Sequence, residues 1–437
     1  MGGKFMKRFL ALFLCVALSA ATLAGCSGKA SESTTAESSG GASAEASSES
    51  SEPVTLKFML NSPELTEQYK AMAAEYKKAK PNVTIDMTII QNDYQTVLKS
   101  KLNSGDVPDL FMSSAYNDNK VFADYEYDLT NESFMKQIDS AFLGSVTLDG
   151  KITGYPFLVQ SHSFIYNKQL FKDAGIVKLP TTLDEYRDVC EKLQAKGIQP
   201  FSSGFGEWWV LPQMTYPSMS DAYDGDYTKL FSDVKSGSLK FGSLPQVDFA
   251  LDLIDLVKKY SGSKPMESTA DMQVSDFANG KVAMIHQGSW EEDSIRNVKK
   301  DIDMGYLEAP RKDGKSVIAV DTNLTMRVYK DSKNLKEVLA FLNWLTTSDY
   351  GKTWIPDVVK QISPQKGAAS PDTQLAKQTL QAVSDGKACQ WWIFSGPDGI
   401  EQPFGTAFQN YAAGTANRQQ TKDALTKLFV DAYNAES

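Results

Sequence analysis

Histidine and cysteine are the scarcest reactive residues of this 437-residue chain. It has only two histidines, His162 and His286, and four cysteines. The histidines are far apart, and neither a His-Glu-x-x-His pair nor a Cys/His cluster with metal-site spacing is present. After position 26 only Cys190 and Cys389 remain, too few for a disulfide framework, although these two could pair outside the cell. The sequence therefore predicts no metal centre and no other cofactor.

Positive charge is also in deficit. Lysine and arginine number 45 against 54 aspartates and glutamates, for a formal net charge of −9. Nucleic-acid binding relies on clustered basic residues, so no nucleic-acid partner is expected. A Gly-x-Ser-x-Gly elbow and a phosphate-binding loop are missing as well, which leaves no recognisable catalytic motif.

One long apolar run is present, and it lies near the start. Lys4, Lys7 and Arg8 precede the almost wholly apolar stretch 9–24. As a helix this stretch would span about 24 Å, less than the roughly 30 Å of a hydrocarbon core. Residues 1–25 are therefore predicted to be a signal peptide rather than a permanent membrane span.

Cys26 follows Leu-Ala-Gly at 23–25, which resembles the bacterial lipobox, in which the cysteine sulfur is lipidated. An incidental thiol beside an ordinary cleavage site is the alternative. Residues 26–52, rich in Ser, Ala, Gly and Glu, are expected to form a disordered tether. Together these segments predict a palmitate-type lipid anchor at the extracellular face of the membrane, and the composition fits a Gram-positive surface best.

The remaining residues are numerous enough for two domains. Period-two strands are predicted at 54–60 and 83–89, with a third strand at 109–112. Ser-Pro-Glu at 62–64 predicts a helix start with Ser62 as its N-cap, and a second helix is predicted at about 93–103. This alternation of strands and helices favours a parallel sheet covered by helices.

The same pattern restarts further along the chain. Residues 163–167 and 282–286 are strand-like, and a capping box at 182–185 opens a helix. We therefore expect two α/β domains, with the connections between them near 148–164 and 306–325.

Several blocks resemble those of the extracellular solute-binding proteins of bacterial carbohydrate transporters, family 1, of the maltose and multiple-sugar-binding type. They are GDVPDLF at 105–111, DGKITGYP at 149–156, YNKQLFKDAGI at 166–176, TTLDE at 181–185, and FANGKVAM at 277–284 with GSW at 288–290. The chain departs from the family pattern at Leu183, where an aromatic residue is usual, and in the segment Cys-Gln-Trp-Trp at 389–392. These departures bear on the ligand rather than on the class.

The resemblance implies an α/β, two-lobed, periplasmic-binding-protein-like fold with hinge-linked parallel-sheet domains and extra C-terminal helices. Lobe one is expected at 54–160 plus 320–365, and lobe two at 161–319 plus 366–437. The implied protein is a monomeric, lipid-anchored component of an ATP-driven sugar importer that captures an oligosaccharide and delivers it to the permease subunits. A secreted carbohydrate-active hydrolase is the alternative, because paired carboxylates need no linear motif. A surface adhesin is a third, less favoured interpretation.

Tryptophan supplies the first candidates for ligand contact, and all seven lie beyond position 200. Trp290 ranks first because the family places a stacking aromatic residue there. In each of the two adjacent pairs, we expect one ring to stack on the ligand and its neighbour to pack inward. The candidates are Trp208, Trp209, Trp290, Trp391 and Trp392.

Polar candidates follow the predicted strands. Ligands of open α/β sheets bind beyond the carboxyl ends of the strands, where short polar side chains could meet sugar hydroxyls. Glu64 could equally be a first-turn acid favoured by the helix dipole. The candidates are Asn61, Glu64, Tyr116, Asp118, Gln160, His162 and Asp321.

Overall fold

A computed structural model of the chain describes residues 52–90 and 93–435. The predicted signal peptide, Cys26 and nearly all of the predicted tether lie outside the described residues, so these remain predictions. Within the described ranges, no helix is both long enough and apolar enough to cross a bilayer.

Strands and helices alternate over most of the described chain. The strands are β1 (Val54–Leu60), β2 (Val83–Ile89), β3 (Leu110–Ser113), β4 (Thr147–Leu148), β5 (Lys151–Ile152), β6 (Tyr155–Pro156), β7 (Gln160–Asn167), β8 (Gln199–Ser202), β9 (Val282–Gly288), β10 (Met304–Leu307), β11 (Ala309–Pro310), β12 (Ser316–Asp321), β13 (Thr325–Val328) and β14 (Ala388–Cys389). The α-helices are α1 (Thr66–Ala79), α2 (Tyr94–Ser104), α3 (Asp118–Val121), α4 (Lys168–Asp173), α5 (Leu183–Ala195), α6 (Val210–Met219), α7 (Tyr227–Lys235), α8 (Pro245–Lys259), α9 (Ala270–Ala278), α10 (Glu292–Val298), α11 (Leu335–Thr347), α12 (Asp349–Thr353), α13 (Gln374–Ser384), α14 (Glu401–Ala413) and α15 (Arg418–Ala435).

The first sheet has the strand order β2-β1-β3-β13-β6. The period-two strands β1 and β2 pair in parallel along their whole length, as the sequence pattern predicts. Helices α1 and α11 bury their apolar faces against this sheet, and the Phe58 ring of β1 meets the Phe341 ring of α11 edge-on at 5.0 Å. Aromatic side chains thus fix the two helices on the sheet.

The second sheet has the order β11-β12-β7-β9-β8, with β10 on β7 and β14 on β12. Its central strand β7 is buried over all eight residues. Strand β7 pairs antiparallel with β9 and with β12, and in the first sheet β13 is antiparallel to β3. Both sheets are therefore mixed, which corrects the expectation of parallel sheets.

The reason for the mixed sheets is the route of the chain between them. It passes directly from β6 in the first sheet to β7 in the second, and returns from β12 to β13 through residues 322–324. Because the chain runs outward along β6 and β7 and back along β12 and β13, β6 pairs antiparallel with β13 and β7 pairs antiparallel with β12. Each sheet has its own apolar core, and the predicted two-lobed α/β fold is confirmed.

Two predicted helix starts have different outcomes. Thr182 and Glu185 form the expected capping box at the start of α5. Ser62 does not cap α1, because its backbone is left-handed (φ 64°) and its hydroxyl donates to Asn61 Oδ1 at 3.1 Å. Residues Pro63–Leu65 form a 3₁₀ turn instead, and α1 begins only at Thr66. The turn after β1 is thereby left on the wall of a cavity.

Candidate ligand-binding site

A cavity of about 580 Å³ lies where loops and helix ends of the two lobes face each other. Its volume is in the range that suits a small organic ligand. Seven of the sequence-predicted residues line it: Asn61, Glu64, Gln160, Trp208, Trp209, Trp290 and Trp391. Further lining residues include Tyr94, Gln95, Ser114, Gln213, Tyr216, Asp271, Glu291, Ser294, Asn323, Phe394 and Glu401.

Indole rings form the apolar part of the lining. The Trp290 ring lies between two others, 6.5 Å from Trp209 and 6.2 Å from Trp391, measured between ring centroids. Both contacts are edge-on, at interplanar angles of 65° and 75°. Because both neighbouring rings are steeply inclined to Trp290, the cluster offers flat faces in more than one direction.

A chain of hydrogen bonds through two glutamine side chains positions the Trp290 ring. Its Nε1 donates to Gln287 Oε1 at 3.2 Å, and Gln287 Nε2 donates to Gln273 Oε1 at 2.8 Å. Gln273 in turn donates to the Ser202 carbonyl oxygen at 2.9 Å. Gly288 leaves room for the ring, since a Cβ there would lie 2.1 Å from the indole. This support fixes the ring before any ligand arrives.

Trp391 is positioned through Asp321, which does not line the cavity. Asp321 Oδ2 accepts from the Trp391 backbone N–H at 2.9 Å, while Oδ1 accepts from Tyr116 Oη at 2.7 Å and from the Thr322 N–H at 2.8 Å. Burial raises the pKa of Asp321 to about 6, although these hydrogen bonds oppose the rise. Tyr116 and Asp321 therefore hold the Trp391 segment rather than reach the cavity themselves.

Asp118 has a similar supporting position. It is buried, and its Oδ2 accepts from the backbone N–H of the lining residue Ser114 at 2.8 Å. Burial raises the pKa of this carboxyl to about 6 against the opposing charge of Arg327. Asp118 therefore supports the cavity lining from behind and does not line the cavity itself.

His162 corrects the expectation of a polar cleft residue. Its imidazole is fully buried, 4.7 Å from the Trp391 ring centroid and 5.3 Å from that of His286. Neither nitrogen of either ring has a hydrogen-bond partner among the described residues. Burial lowers the pKa of both histidines, that of His286 to about 3, so both are neutral packing groups, with His162 beneath the tryptophans and His286 behind it.

Trp392 is likewise buried, away from the cavity. Its ring packs on Phe241 at 5.7 Å, on Phe404 at 5.6 Å and on Phe231 at 6.2 Å. These rings belong to the core of the second lobe. The structure therefore assigns Trp392 to the core.

Three polar atoms in the lining have no hydrogen-bond partner among the described residues. They are Asn323 Oδ1, Gln213 Oε1 and Trp391 Nε1. Asn323 is 7% exposed and Trp391 is 2% exposed. Buried polar groups are nearly always hydrogen-bonded, so these two acceptors and one donor beside the cavity lack the partners that such atoms normally have.

Acidic side chains complete the lining. Burial raises the pKa of Glu291 to about 7, and the charges of Glu64 and Asp271 raise it further. Burial also raises the pKa of Glu401 to about 8 and that of Glu64 above its ordinary value. Glu64 is accessible to water, but the surrounding wall displaces much of its hydration shell. Near neutral pH some of these carboxyl groups can therefore donate a hydrogen bond as well as accept one.

Sequence reasoning missed more than half of the named lining. Glu291 adjoins Trp290, and Asn323 follows β12, so strand-end reasoning could have found both. Gln213 and Glu401 lie on α6 and α14, far along the chain from the strand ends. Only the fold brings these two helices to the cavity.

Potential metal ligands do not gather here. In the ranges 52–90 and 93–435, no group of three or more His, Cys, Asp or Glu side chains is arranged to hold a metal ion.

Two mixed-sheet lobes with an aromatic and acidic cavity define a ligand-binding protein of the two-lobed class. Residues 62–352 match the model of the family described as bacterial extracellular solute-binding protein. This match covers well over half of the 437 residues, and the chain belongs to that family. The predicted family membership is confirmed.

Several relatives are similar along most of their length. The multiple sugar-binding protein of Streptococcus mutans is 26% identical over 435 residues, 95% of each chain. The melibiose/raffinose/stachyose-binding protein MelE of Bacillus subtilis is 21% identical over 354 residues, 78% of this chain and 77% of its own. These relatives and the family are binding proteins, which supports a binding function over the hydrolase alternative.

Solved structures agree on the fold. A complex of the solute-binding protein RafE with raffinose has a TM-score of 0.76 at 22% identity, covering 87% of this chain and 99% of the other. A sugar transporter protein from Bacillus licheniformis in complex with stachyose has a TM-score of 0.73 at 20% identity, covering 86% and 100%.

Proposed function

We propose that this protein is the substrate-binding component of an ABC-type sugar importer and that it captures an oligosaccharide in the 580 Å³ cavity. The observation that carries the proposal is the combination of inclined tryptophan rings with free polar atoms in one enclosure. Trp209, Trp290 and Trp391 offer apolar faces, and Asn323 and Gln213 offer acceptors. The names of the relatives from Streptococcus mutans and Bacillus subtilis support the same ligand class.

This mixture of groups matches the chemistry of a sugar. One face of a pyranose ring carries C–H groups that pack on an indole, while its hydroxyls point outward and seek hydrogen bonds. Contacts from both lobes would favour a closed state, which the permease subunits then recognise. We also propose that lobe one comprises residues 54–160 plus 320–365 and that lobe two comprises residues 161–319 plus 366–437.

Binding and chemical integrity of the sugar test this function together. Purified protein lacking residues 1–52 should bind an oligosaccharide from a panel containing raffinose and stachyose with micromolar or tighter affinity by calorimetry. A ligand at a hundred times its dissociation constant should stabilise the protein by about 2.7 kcal/mol, visible as a rise in Tm. Chromatography after prolonged incubation should recover the sugar intact. Steady cleavage that is lost in Glu64→Gln would instead identify a hydrolase.

Anchoring is a separate part of the proposal. Lipidation of Cys26 would hold a monomer at the extracellular face of a membrane, with a Gram-positive envelope as the expected setting. Cys26→Ser should abolish lipid labelling and either release the protein into the medium or leave it unprocessed. Normal membrane retention of this variant would contradict the anchor, and Cys190→Ser is the matched control that should keep it.

A further inference from the structure

The charge of the cavity lining is of one sign. Four of its residues carry a carboxyl group, and among the described lining residues none is lysine, arginine or histidine. The carboxyl residues are Glu64, Asp271, Glu291 and Glu401. Glu64 and Asp271 are both close enough to Glu291 to act on it electrostatically.

Nearby cations are already engaged elsewhere. Lys99, one helical turn from the lining residue Gln95, has its Nζ 2.6 Å from Asp398. Lys360 Nζ lies 2.7 Å from Asp293. None of the four cavity carboxyl groups forms an ion pair within the described part of the chain. A negatively charged ligand would therefore find no counterion in the cavity.

Among the described lining residues, the unpartnered buried polar atoms are two acceptors and one donor, Trp391 Nε1, so the balance favours hydrogen-bond donors on the ligand. Asn323 Oδ1 and Gln213 Oε1 are unpartnered acceptors in the lining, and Asn323 is more than nine-tenths buried. Acceptors require donors on the ligand. Hydroxyl and ammonium groups donate, whereas an ionised carboxylate, sulfate or phosphate can only accept.

From these two observations we infer that the cavity selects glycans by charge. It admits neutral or amino-bearing oligosaccharides and excludes those with carboxylate, sulfate or phosphate groups, with Asp271 and Glu291 as specificity-determining residues. The inference rests on the proposed sugar-binding function and names its substrate class. An anionic group would give up its hydration in a partly dehydrated site that offers no cation, where every carboxyl group that is ionised repels it.

The first test needs no variant. The purified protein is applied to an array of neutral, amino and acidic oligosaccharides that includes raffinose and the trimers of N-acetylglucosamine, glucosamine and galacturonate. We expect every bound member to be neutral or amino-bearing, at least a hundredfold above any acidic member. An acidic glycan as the strongest ligand would overturn the inference and leave sugar binding standing. Binding of no glycan would overturn the proposed function itself, and this inference with it.

A charge-matched pair of double variants then tests the assigned residues. Asp271→Asn with Glu291→Gln should narrow the gap between the best neutral glycan and its sulfate ester to less than tenfold. The control, Asp431→Asn with Glu67→Gln, removes the same two charges from exposed side chains and should leave the gap unchanged. An equal effect of both double variants would show that net charge, and not the cavity, sets the selectivity.

Discussion

The two adjacent tryptophan pairs distribute their rings differently between the cavity and the core. Trp208 and Trp209 both line the cavity, whereas of the second pair only Trp391 does and Trp392 lies in the core. The first pair lies in a turn before α6, where successive side chains need not alternate. In the second pair, Trp391 follows strand β14 with φ −83° and ψ 78°, and Trp392 begins a 3₁₀ turn over Trp392–Ser395, so the backbone changes conformation between the two rings. Adjacent identical residues thus acquire different environments from backbone conformation alone.

The largest expected effect concerns the buried member of the second pair. Trp392→Ala removes a ring enclosed by Phe231, Phe241 and Phe404, and should lower the free energy of unfolding by about 3–5 kcal/mol. Denaturant titration measures this loss. Sugar affinity of the protein that remains folded should be unchanged. Lost affinity with intact stability would mean that Trp392 belongs to the site.

Trp290 contacts one ring of each pair, and its loss is expected to have the next largest effect. Trp290→Ala should weaken oligosaccharide binding by roughly 1–3 kcal/mol, because it removes the central aromatic face, with a smaller change in stability. Calorimetry and thermal denaturation separate the two effects. An unchanged affinity with a large fall in Tm would place the ring among core residues.

A substitution at Gly405 tests whether the position of Trp208 and Trp209 matters for binding, without changing either ring. A Cβ at this position of α14 would lie 2.2 Å from the Trp208 carbonyl oxygen, so Gly405→Ala must displace the turn that carries the pair. Such overpacking typically costs about 1–3 kcal/mol of stability, and we expect a reduction in affinity of about 1 kcal/mol. Gly414→Ala, at the C-cap of the same helix, has open space but a left-handed backbone (φ 79°), so it should cost stability without displacing the Trp208 turn and serves as a control for affinity. Equal affinities of wild type and Gly405→Ala would show that the position of this turn does not affect ligand binding.

The smallest expected effect is at Lys99. Its ion pair with Asp398 joins α2 of the first lobe to the segment before α14, and both side chains are partly exposed. Lys99→Met should change sugar affinity by less than about 1 kcal/mol, with the difference vanishing at high salt. A salt-independent loss of affinity would indicate that Lys99 contacts the ligand directly.

Local patterns determine how much of the fold the sequence reveals. The alternation in β1 and β2 and the capping box of α5 are visible in a few adjacent residues, and each was predicted correctly. The cap assigned to Ser62 was wrong because a left-handed residue turns its hydroxyl away from the helix. Strand direction was also predicted incorrectly, since it depends on where the chain crosses between the sheets.

In the candidate site, too, some residues were predictable from the local sequence and others depend on the fold. Strand-end reasoning led to Asn61 and Gln160, which line the cavity, and to His162, which does not. One residue separates Gln160 from His162 on β7, yet Gln160 borders the cavity and His162 lies beneath Trp391. Glu401 and Gln213 depend on the packing of α14 and α6, which leaves no signal in nearby residues. Their roles as ligand contacts stay predictions.

The buried His162 imidazole beneath the tryptophans gives the protein an internal spectroscopic reporter. The chain has two histidines, and both are buried; His162 lies 4.7 Å from the Trp391 ring, and His286 packs against His162 at 5.3 Å. Proton NMR of untagged protein should therefore show two histidine spin systems, without surface histidines to obscure them. Ring currents from Trp391 and Trp290 displace the His162 resonances, so any tilt of those indoles on ligand binding would register as a shift. Occupancy of the cavity could then be followed in unlabelled protein, with any ligand and without a dye.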